Sequence, residues 1–153
     1  MMTLGNSTKR IYIASSWAMH NIAIELAKRL RSEGFEIDCF CDNTTGRYIF
    51  NFKDIVRNHP EEWNAIRMIT QPEVKKAFAE DKKYLEWCDT CILLVPSGRS
   101  AHLEAGYAKG CGKKLYIYGE FPQGEWDVMY RFAEGLYPFG AINDLIKELK
   151  EDE

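Results

Sequence analysis

The sequence predicts an α/β domain in which parallel strands and helices alternate, a doubly wound arrangement. The first observation is a strand–helix–strand opening: residues 10–16, RIYIASS, are β-branched and aromatic, residues 18–33 have helical periodicity, and residues 36–42 form a second strand. The second is the continuous apolar run TCILLV at 90–95, typical of a central parallel strand buried on both faces. Because such crossovers are right-handed, we expect a mostly parallel sheet of about five strands.

The first half of the chain contains two predicted helices and a less regular excursion. Ile22, Leu26, Ala27 and Leu30 recur at helical spacing, and Gly34 follows as a stop signal. Residues 43–71 lack a clean period, so we expect an irregular excursion with one short helix. In the predicted helix at 73–87, the residues expected along the buried side are Val74, Ala77, Phe78 and Leu85.

The second half continues the alternation of helices and strands after the apolar strand. In chain order we expect a helix at 101–111, a strand at 114–119, a short helix at 126–134, a strand at 137–139 and a terminal helix at 141–150. The whole chain, 1–153, is therefore expected to form a single domain.

Composition excludes several classes of partner. With 153 residues, 46% of them hydrophobic and 28% charged, the chain suits one domain with a full core. A net charge of −3 with scattered Lys and Arg argues against nucleic acid. The longest apolar run is too short to cross a membrane, and the start carries no secretory h-region, so we expect a cytoplasmic protein.

The five cysteines are expected to be unpaired in a reducing compartment, because an odd number cannot all pair internally. Cys88 and Cys91 form a C-x-x-C, and Cys39 and Cys41 alternate on a strand, but no His lies at metal-ligand spacing nearby. Buried small hydrophobes are therefore favoured over a zinc or redox site. We expect neither a metal nor a cofactor.

The loop at 96–100 is the first candidate binding element, since ligands of doubly wound sheets lie beyond the carboxyl ends of the strands. Ser97, Gly98 and Ser100 are small enough to admit a sugar or an anion at a helix N-terminus. Arg99 adds a planar cationic fork that suits phosphate. A plain strand–helix turn with a solvated Arg99 fits this loop equally well.

Glu104 is the candidate catalytic residue, because a capping role does not account for it. A capping box needs Ser or Thr three residues earlier, and position 101 is alanine. Gly106, in the middle of the helix, suggests a close backbone approach. A carboxylate near a helix N-terminus is expected to stay ionised, the state required of a nucleophile.

These segments together resemble the nucleoside 2-deoxyribosyltransferase family, whose relatives include nucleoside 5′-monophosphate N-glycosidases. The resemblance rests on CDTCILLVPSGRSAHLEAGYAKGCGKKLYIYG, RIYIASSW and Asp81, and it runs from about residue 10 to 131 without the excursion. It implies a flavodoxin-like fold, cleavage of the bond between base and sugar, and a homo-oligomer. Gly98 is a departure, because many of the transferases carry Asp six residues before the nucleophile.

The resemblance also implies roles for individual residues. Glu104 matches the carboxylate that attacks the anomeric carbon, Tyr12 a tyrosine that orients it, and Asp81 an aspartate near the base and sugar. From pattern alone Asp81 would be an exposed charge in EDKK. The predicted substrate-binding residues are Ser15, Trp17, Ser97, Gly98, Arg99 and Ser100.

Three functions are compatible with these residues. The first is an N-glycosidase or deoxyribosyltransferase acting on a nucleoside or nucleotide, and the second is a nucleotide-binding or signal-binding module without catalysis. The third is an NAD glycohydrolase, which breaks the same type of bond. Aromatic residues available to stack a base in any of these are Trp17, Tyr48, Phe50 and Trp126.

Overall fold

The structure, a computed structural model, describes residues 8–50 and 65–151. Its sheet has five strands, all paired in parallel, in the order β2-β1-β3-β4-β5. The strands are β1 Arg10–Ala14, β2 Glu36–Cys39, β3 Thr90–Val95, β4 Lys114–Gly119 and β5 Gly135–Pro138. This order confirms the predicted doubly wound fold and is that of flavodoxin-like domains.

Helices connect successive strands in the described part of the chain. The α-helices are α1 His20–Ser32, α2 Ala65–Met68, α3 Pro72–Trp87, α4 Arg99–Gly110 and α5 Ile142–Glu151. Short 3-10 helices lie at Trp17–Met19, Val128–Phe132 and Phe139–Ala141. Much of the expected excursion at 43–71 lies outside the described residues.

Two apolar layers sandwich the sheet. One layer packs α1 and α5 against Ile11, Ile13 and Ile92. The other packs α3 and α4 against alternate residues of the same strands, including Tyr12 and Leu93. Every residue of β3 is buried, as predicted for a strand covered on both faces.

The topological switch point lies between β1 and β3. The chain leaves β1 toward β2 on one side and later returns to β3 on the other side. Connections therefore diverge at the carboxyl ends of these two strands and leave a crevice there. The loops that border the crevice are 15–17 and 96–98.

Several details of the elements differ from the sequence predictions, among them the end of β2, the exposure of Phe78 and the start of α4. β2 ends at Cys39 and not at residue 42, because the chain turns there and Asn43 donates a backbone hydrogen bond to Cys39 at 2.9 Å. Phe78 is 65% exposed, since the buried side of α3 consists of the small Ala77 and of Leu85. α4 begins at Arg99, two residues earlier than predicted.

The inference from Gly106 was also wrong. Among the described residues, a Cβ built at Gly106 would meet nothing within 4 Å, so these residues provide no close backbone approach that explains the glycine. The close approach lies at Gly119, where φ is +147° and a Cβ would collide with the carbonyl of Val95. The ends of β3 and β4 are held together at this point.

All five cysteines are free, but they are not all buried. Cys39, Cys88 and Cys91 are core residues, whereas Cys41 is half-buried and Cys111 is exposed near the end of α4. Residues 8–50 and 65–151 contain no group of three side chains arranged to hold a metal ion. Within the same residues, every helix is too short or too polar to cross a membrane.

Candidate active site

Among the cavities bordered by the described residues, two flank the loop at 96–98 at the carboxyl end of the sheet. The larger, about 950 Å³, has a mainly apolar lining that includes Trp126, Met129 and Phe132. The smaller, about 410 Å³, contains Arg47, Asp81 and Glu104. Both volumes suit a small molecule, but the smaller cavity gathers the charged groups that chemistry requires. We call it the cleft.

Tyr12 and Glu104 form a direct contact in this part of the molecule. Tyr12 lies in the middle of β1, and its ring is buried against the layer of α4. Its hydroxyl donates a short hydrogen bond to Oε2 of Glu104. The phenol therefore fixes one carboxylate oxygen.

The environment of Glu104 holds its carboxyl group close to half ionised at neutral pH. Burial raises the pKa to about 7, and the hydrogen bond from Tyr12 opposes this rise. Asp81 raises the pKa further and Arg47 lowers it. The expectation that a helix N-terminus keeps this carboxylate ionised was wrong, because the dipole contributes only about 0.3–1 kcal/mol and burial outweighs it.

Asp81 faces the same cleft from α3 and is paired. Its side chain is 40% exposed, and Oδ1 accepts a short hydrogen bond from Nη1 of Arg47. Burial raises the pKa of Asp81, whereas Arg47 lowers it. The alternative of a solvated charge in EDKK therefore does not describe this residue.

Arg47 is the site residue that sequence reasoning did not single out. Its side chain is only 1% exposed, and Nη2 lies 3.2 Å from Oδ2 of Asp38, which is completely buried. Asp38 also accepts a hydrogen bond from Thr45 at 2.8 Å. A signal was available in EIDC, because an acid inside an apolar strand requires a buried partner.

Hydrogen bonds tie the loops after β1 and β3 together. The amide of Gly98 donates to Oγ of Ser16 at 2.7 Å, and the amide of Ser16 donates to Oγ of Ser97 at 3.1 Å. The Ser97 hydroxyl itself donates to the carbonyl of Leu94 at 2.5 Å. Ser97 thus holds the loop and borders the larger cavity, whereas Gly98, Arg99 and Ser100 line the cleft.

The loop after β1 gives the cleft an aromatic side. Trp17 is 58% exposed, stacks on His20 with ring centroids 5.0 Å apart, and lies 6.0 Å from the ring of Phe40. Ser15 is buried beside Cys41, with Oγ 3.8 Å from Sγ. The cleft lining includes Ser15, Trp17, Phe40 and Phe50.

The other two aromatics proposed for base stacking lie elsewhere. The Tyr48 ring packs under the Lys76 ammonium group at 4.4 Å, and Trp126 lines the larger cavity. A ring nitrogen of His102 lies 2.9 Å from the carbonyl oxygen of Gly98, and the other lies 3.0 Å from the hydroxyl of Tyr130. His102 borders the larger cavity and not the cleft.

Comparisons with known proteins were made for sequence and for structure. No protein-family model matches the sequence, and no curated protein matches it. Among solved structures, the Clostridium botulinum CMP N-glycosidase BcmB is similar, with a TM-score of 0.55 and 17% identity. The alignment covers 93% of this chain and 99% of that one. At this level of identity, the similarity shows that the two chains share the same doubly wound α/β fold.

Proposed function

We propose that this protein cleaves the N-glycosidic bond of a nucleoside or nucleoside 5′-monophosphate, with Glu104 as the nucleophile. The observation that carries the proposal is the half-buried Glu104 carboxylate, oriented by the buried hydroxyl of Tyr12 at the mouth of the switch-point crevice. The sequence motifs resemble those of enzymes with this chemistry. The fold shared with a CMP N-glycosidase supports the same reaction class.

The proposed reaction has two displacements at the anomeric carbon. In the first, an oxygen of Glu104 bonds to that carbon as its bond to the base nitrogen breaks, and the base leaves with the bonding electron pair. In the second, water attacks the same carbon and releases Glu104, so that hydrolysis yields free base and either free sugar or, from a monophosphate, sugar 5-phosphate. A second base in place of water would give transfer.

Asp81 is proposed to serve the leaving base. Its carboxyl group faces the cleft, and burial raises its pKa toward the range where it can hold a proton. Oδ1 is engaged by Arg47, so Oδ2 is the oxygen proposed to donate to the base or to a sugar hydroxyl. The proton given to the base is recovered from the attacking water.

A 5′-phosphate is proposed to lie at the start of α4. Arg99 is the first residue of this helix, is exposed, and lines the cleft together with Gly98 and Ser100. The first N–H groups of a helix lack partners within the helix and favour anions. Trp17, Phe40 and Phe50 are proposed to contact the base.

The test is a chromatographic screen of nucleosides, 5′-monophosphates and NAD for release of free base. Wild-type protein is expected to release base from at least one nucleoside or monophosphate, and Glu104→Gln is expected to lose more than a thousandfold in rate. Glu86→Gln is the matched control, because Glu86 also accepts a tyrosine hydroxyl, that of Tyr107 at 2.7 Å, but lies outside the cleft.

Other outcomes separate the alternative functions. Release of nicotinamide from NAD alone would favour the glycohydrolase. Binding of a nucleotide in calorimetry without any release of base would favour the binding module. Full activity of Glu104→Gln would contradict the assignment of the nucleophile.

A further inference from the structure

We propose that Arg47 is a positioning residue for this reaction: one buried guanidinium fixes Asp81 and supports the ring of Tyr12, and so aligns both carboxylates of the cleft. The inference rests on the proposed function. Arg47 itself is not assigned contact with the reacting atoms.

The guanidinium contacts groups from three elements. It pairs with Asp38 of β2 and with Asp81 of α3, and its Cζ lies 5.6 Å from the centroid of the Tyr12 ring in β1. The same Cζ atom lies 5.7 Å from the centroid of the Tyr84 ring. A planar fork can satisfy two carboxylates and stack on an aromatic face at once, which an ammonium group cannot do.

Asp38 serves as the fixed end of this arrangement. Tyr12 and Asp38 are register partners in adjacent parallel strands, and so are on the same face of the sheet. Asp38 is fully buried and is held by Thr45 as well as by Arg47. A guanidinium anchored on the sheet therefore holds Asp81, which belongs to a helix and is the more exposed partner.

The loop after β2, residues 40–47, does not need the guanidinium of Arg47 in order to close. The side chain of Asn43 accepts from the Arg47 amide at 3.1 Å and donates to the Arg47 carbonyl at 3.0 Å. Arg31 separately holds the loop through Asp42 at 2.6 Å and Thr44 at 2.8 Å. The Arg47 guanidinium is therefore available to bind Asp81 and to pack on the ring of Tyr12.

The charged groups around Glu104 predict that Arg47 has a measurable effect on the pKa of this carboxyl group. The groups that act on Glu104 are Tyr12 from β1, Asp38 from β2, Asp81 from α3 and Arg47 itself. Arg47 is the cation among these groups, and it lowers the pKa of Glu104 against the effect of burial and of both aspartates. Removing it should raise the pH at which Glu104 ionises.

The experiment compares Arg47→Met, Arg47→Lys and the control Arg31→Met. Arg31→Met removes an arginine that holds the same loop but lies outside the cleft lining. The titration midpoint of Glu104, the pH at which half of its carboxyl group is ionised, is measured by ¹³C NMR of labelled glutamate carboxyls. The signal is assigned by its loss in Glu104→Gln. Turnover is measured as kcat/KM across pH on the substrate found in the screen.

In Arg47→Met the Glu104 midpoint is expected to rise by about one pH unit, and kcat/KM to fall about tenfold to a hundredfold at neutral pH. In Arg47→Lys the charge remains but the fork is lost, so the midpoint should stay and kcat/KM should fall about tenfold. Arg31→Met should change neither quantity.

Three results would overturn the proposal. One is a folded Arg47→Met protein with the wild-type midpoint and turnover. Another is an equal loss in Arg31→Met, which would reduce Arg47 to a loop anchor. The third is wild-type turnover in Arg47→Lys, which would show that the planar fork is not needed. This comparison tests the proposal even if Arg47→Met does not fold. If the screen finds no substrate, the proposed function fails, and the NMR midpoints still test the link between Arg47 and Glu104.

Discussion

Glu104 is largely buried, whereas the reaction proposed for it needs a charged carboxylate, and these two conditions oppose each other. Desolvation favours the protonated acid, whereas attack on an anomeric carbon requires the carboxylate. The hydrogen bond from Tyr12 and the charge of Arg47 offset part of the cost of burial, and they leave the pKa at about 7. Neutral pH therefore lies on the rising part of the expected activity profile.

The raised pKa predicts how the stability of the protein changes with pH. The folded-state pKa of about 7 exceeds the ordinary value of 4.5, so the folded state holds this proton more tightly than the unfolded state. Stability from this group is present below pH 4.5 and is lost as the pH rises through 7. Relative to wild type, Glu104→Gln should have the same free energy of unfolding near pH 4.5 and one about 3 kcal/mol higher at pH 8, measured by urea unfolding. A constant difference between the two proteins across this range would contradict the shift.

The hydroxyl of Tyr12 allows a second test at a single atom. Tyr12→Phe keeps the ring against Arg47 and removes the donor to Glu104. A hydrogen bond to a charged group contributes about 1.5–3 kcal/mol, so kcat/KM should fall about tenfold to a hundredfold. The acidic limb of the pH profile should also move to higher pH, because the hydroxyl lowers the pKa of Glu104. Tyr107→Phe, which removes the equivalent donor to Glu86, is the control and should leave the rate unchanged.

At the scale of elements, the start of α4 is where phosphate recognition is proposed. Arg99→Met keeps the aliphatic stem and removes the guanidinium. For a monophosphate substrate, kcat/KM should fall about tenfold to a hundredfold, while the matching nucleoside should change little. Steady-state kinetics on the two compounds measures the difference. Equal losses on both would mean that Arg99 shapes the loop, and no loss on either would remove the phosphate proposal.

The elements themselves were predictable because their signals are local. The fully apolar β3, the periodicity of α1 and the strand at 114–119 each gave the correct element from a short window of sequence. The end of β2 was not predictable in this way, since a turn closed by Asn43 and the ion pair of Asp42 with Arg31 bend the chain there. Tertiary contacts decide such boundaries.

The candidate site was partly predictable for the same reason. Glu104 was selected from a local pattern, a carboxylate early in a helix without a capping partner, and the resemblance supplied Tyr12 and Asp81. Arg47 was missed because its importance depends on partners 9 residues before it and 34 residues after it, on two other elements. Burial of an arginine is a property of the assembled layers and leaves no local pattern.

At the scale of the molecule, the parallel topology brings the loops that border the cleft together at the carboxyl end of the sheet. β1 and β3 are neighbours although more than 70 residues separate them, and their carboxyl-end loops are joined by Ser16 and Gly98, 82 residues apart. The crevice is thus a product of the strand order. The expected self-association stays a prediction, which sedimentation of the purified chain would test.

The central place of β1 also bears on how the protein is made. β1 pairs with β2 soon after both leave the ribosome, but its other edge stays open until β3 has been synthesised. Tyr12 and Glu104 are 92 residues apart, so their hydrogen bond cannot form until about two thirds of the chain exists. An open, apolar strand edge during this interval is a template for pairing with other chains. We therefore expect the nascent chain to be most prone to aggregation before residue 95 emerges.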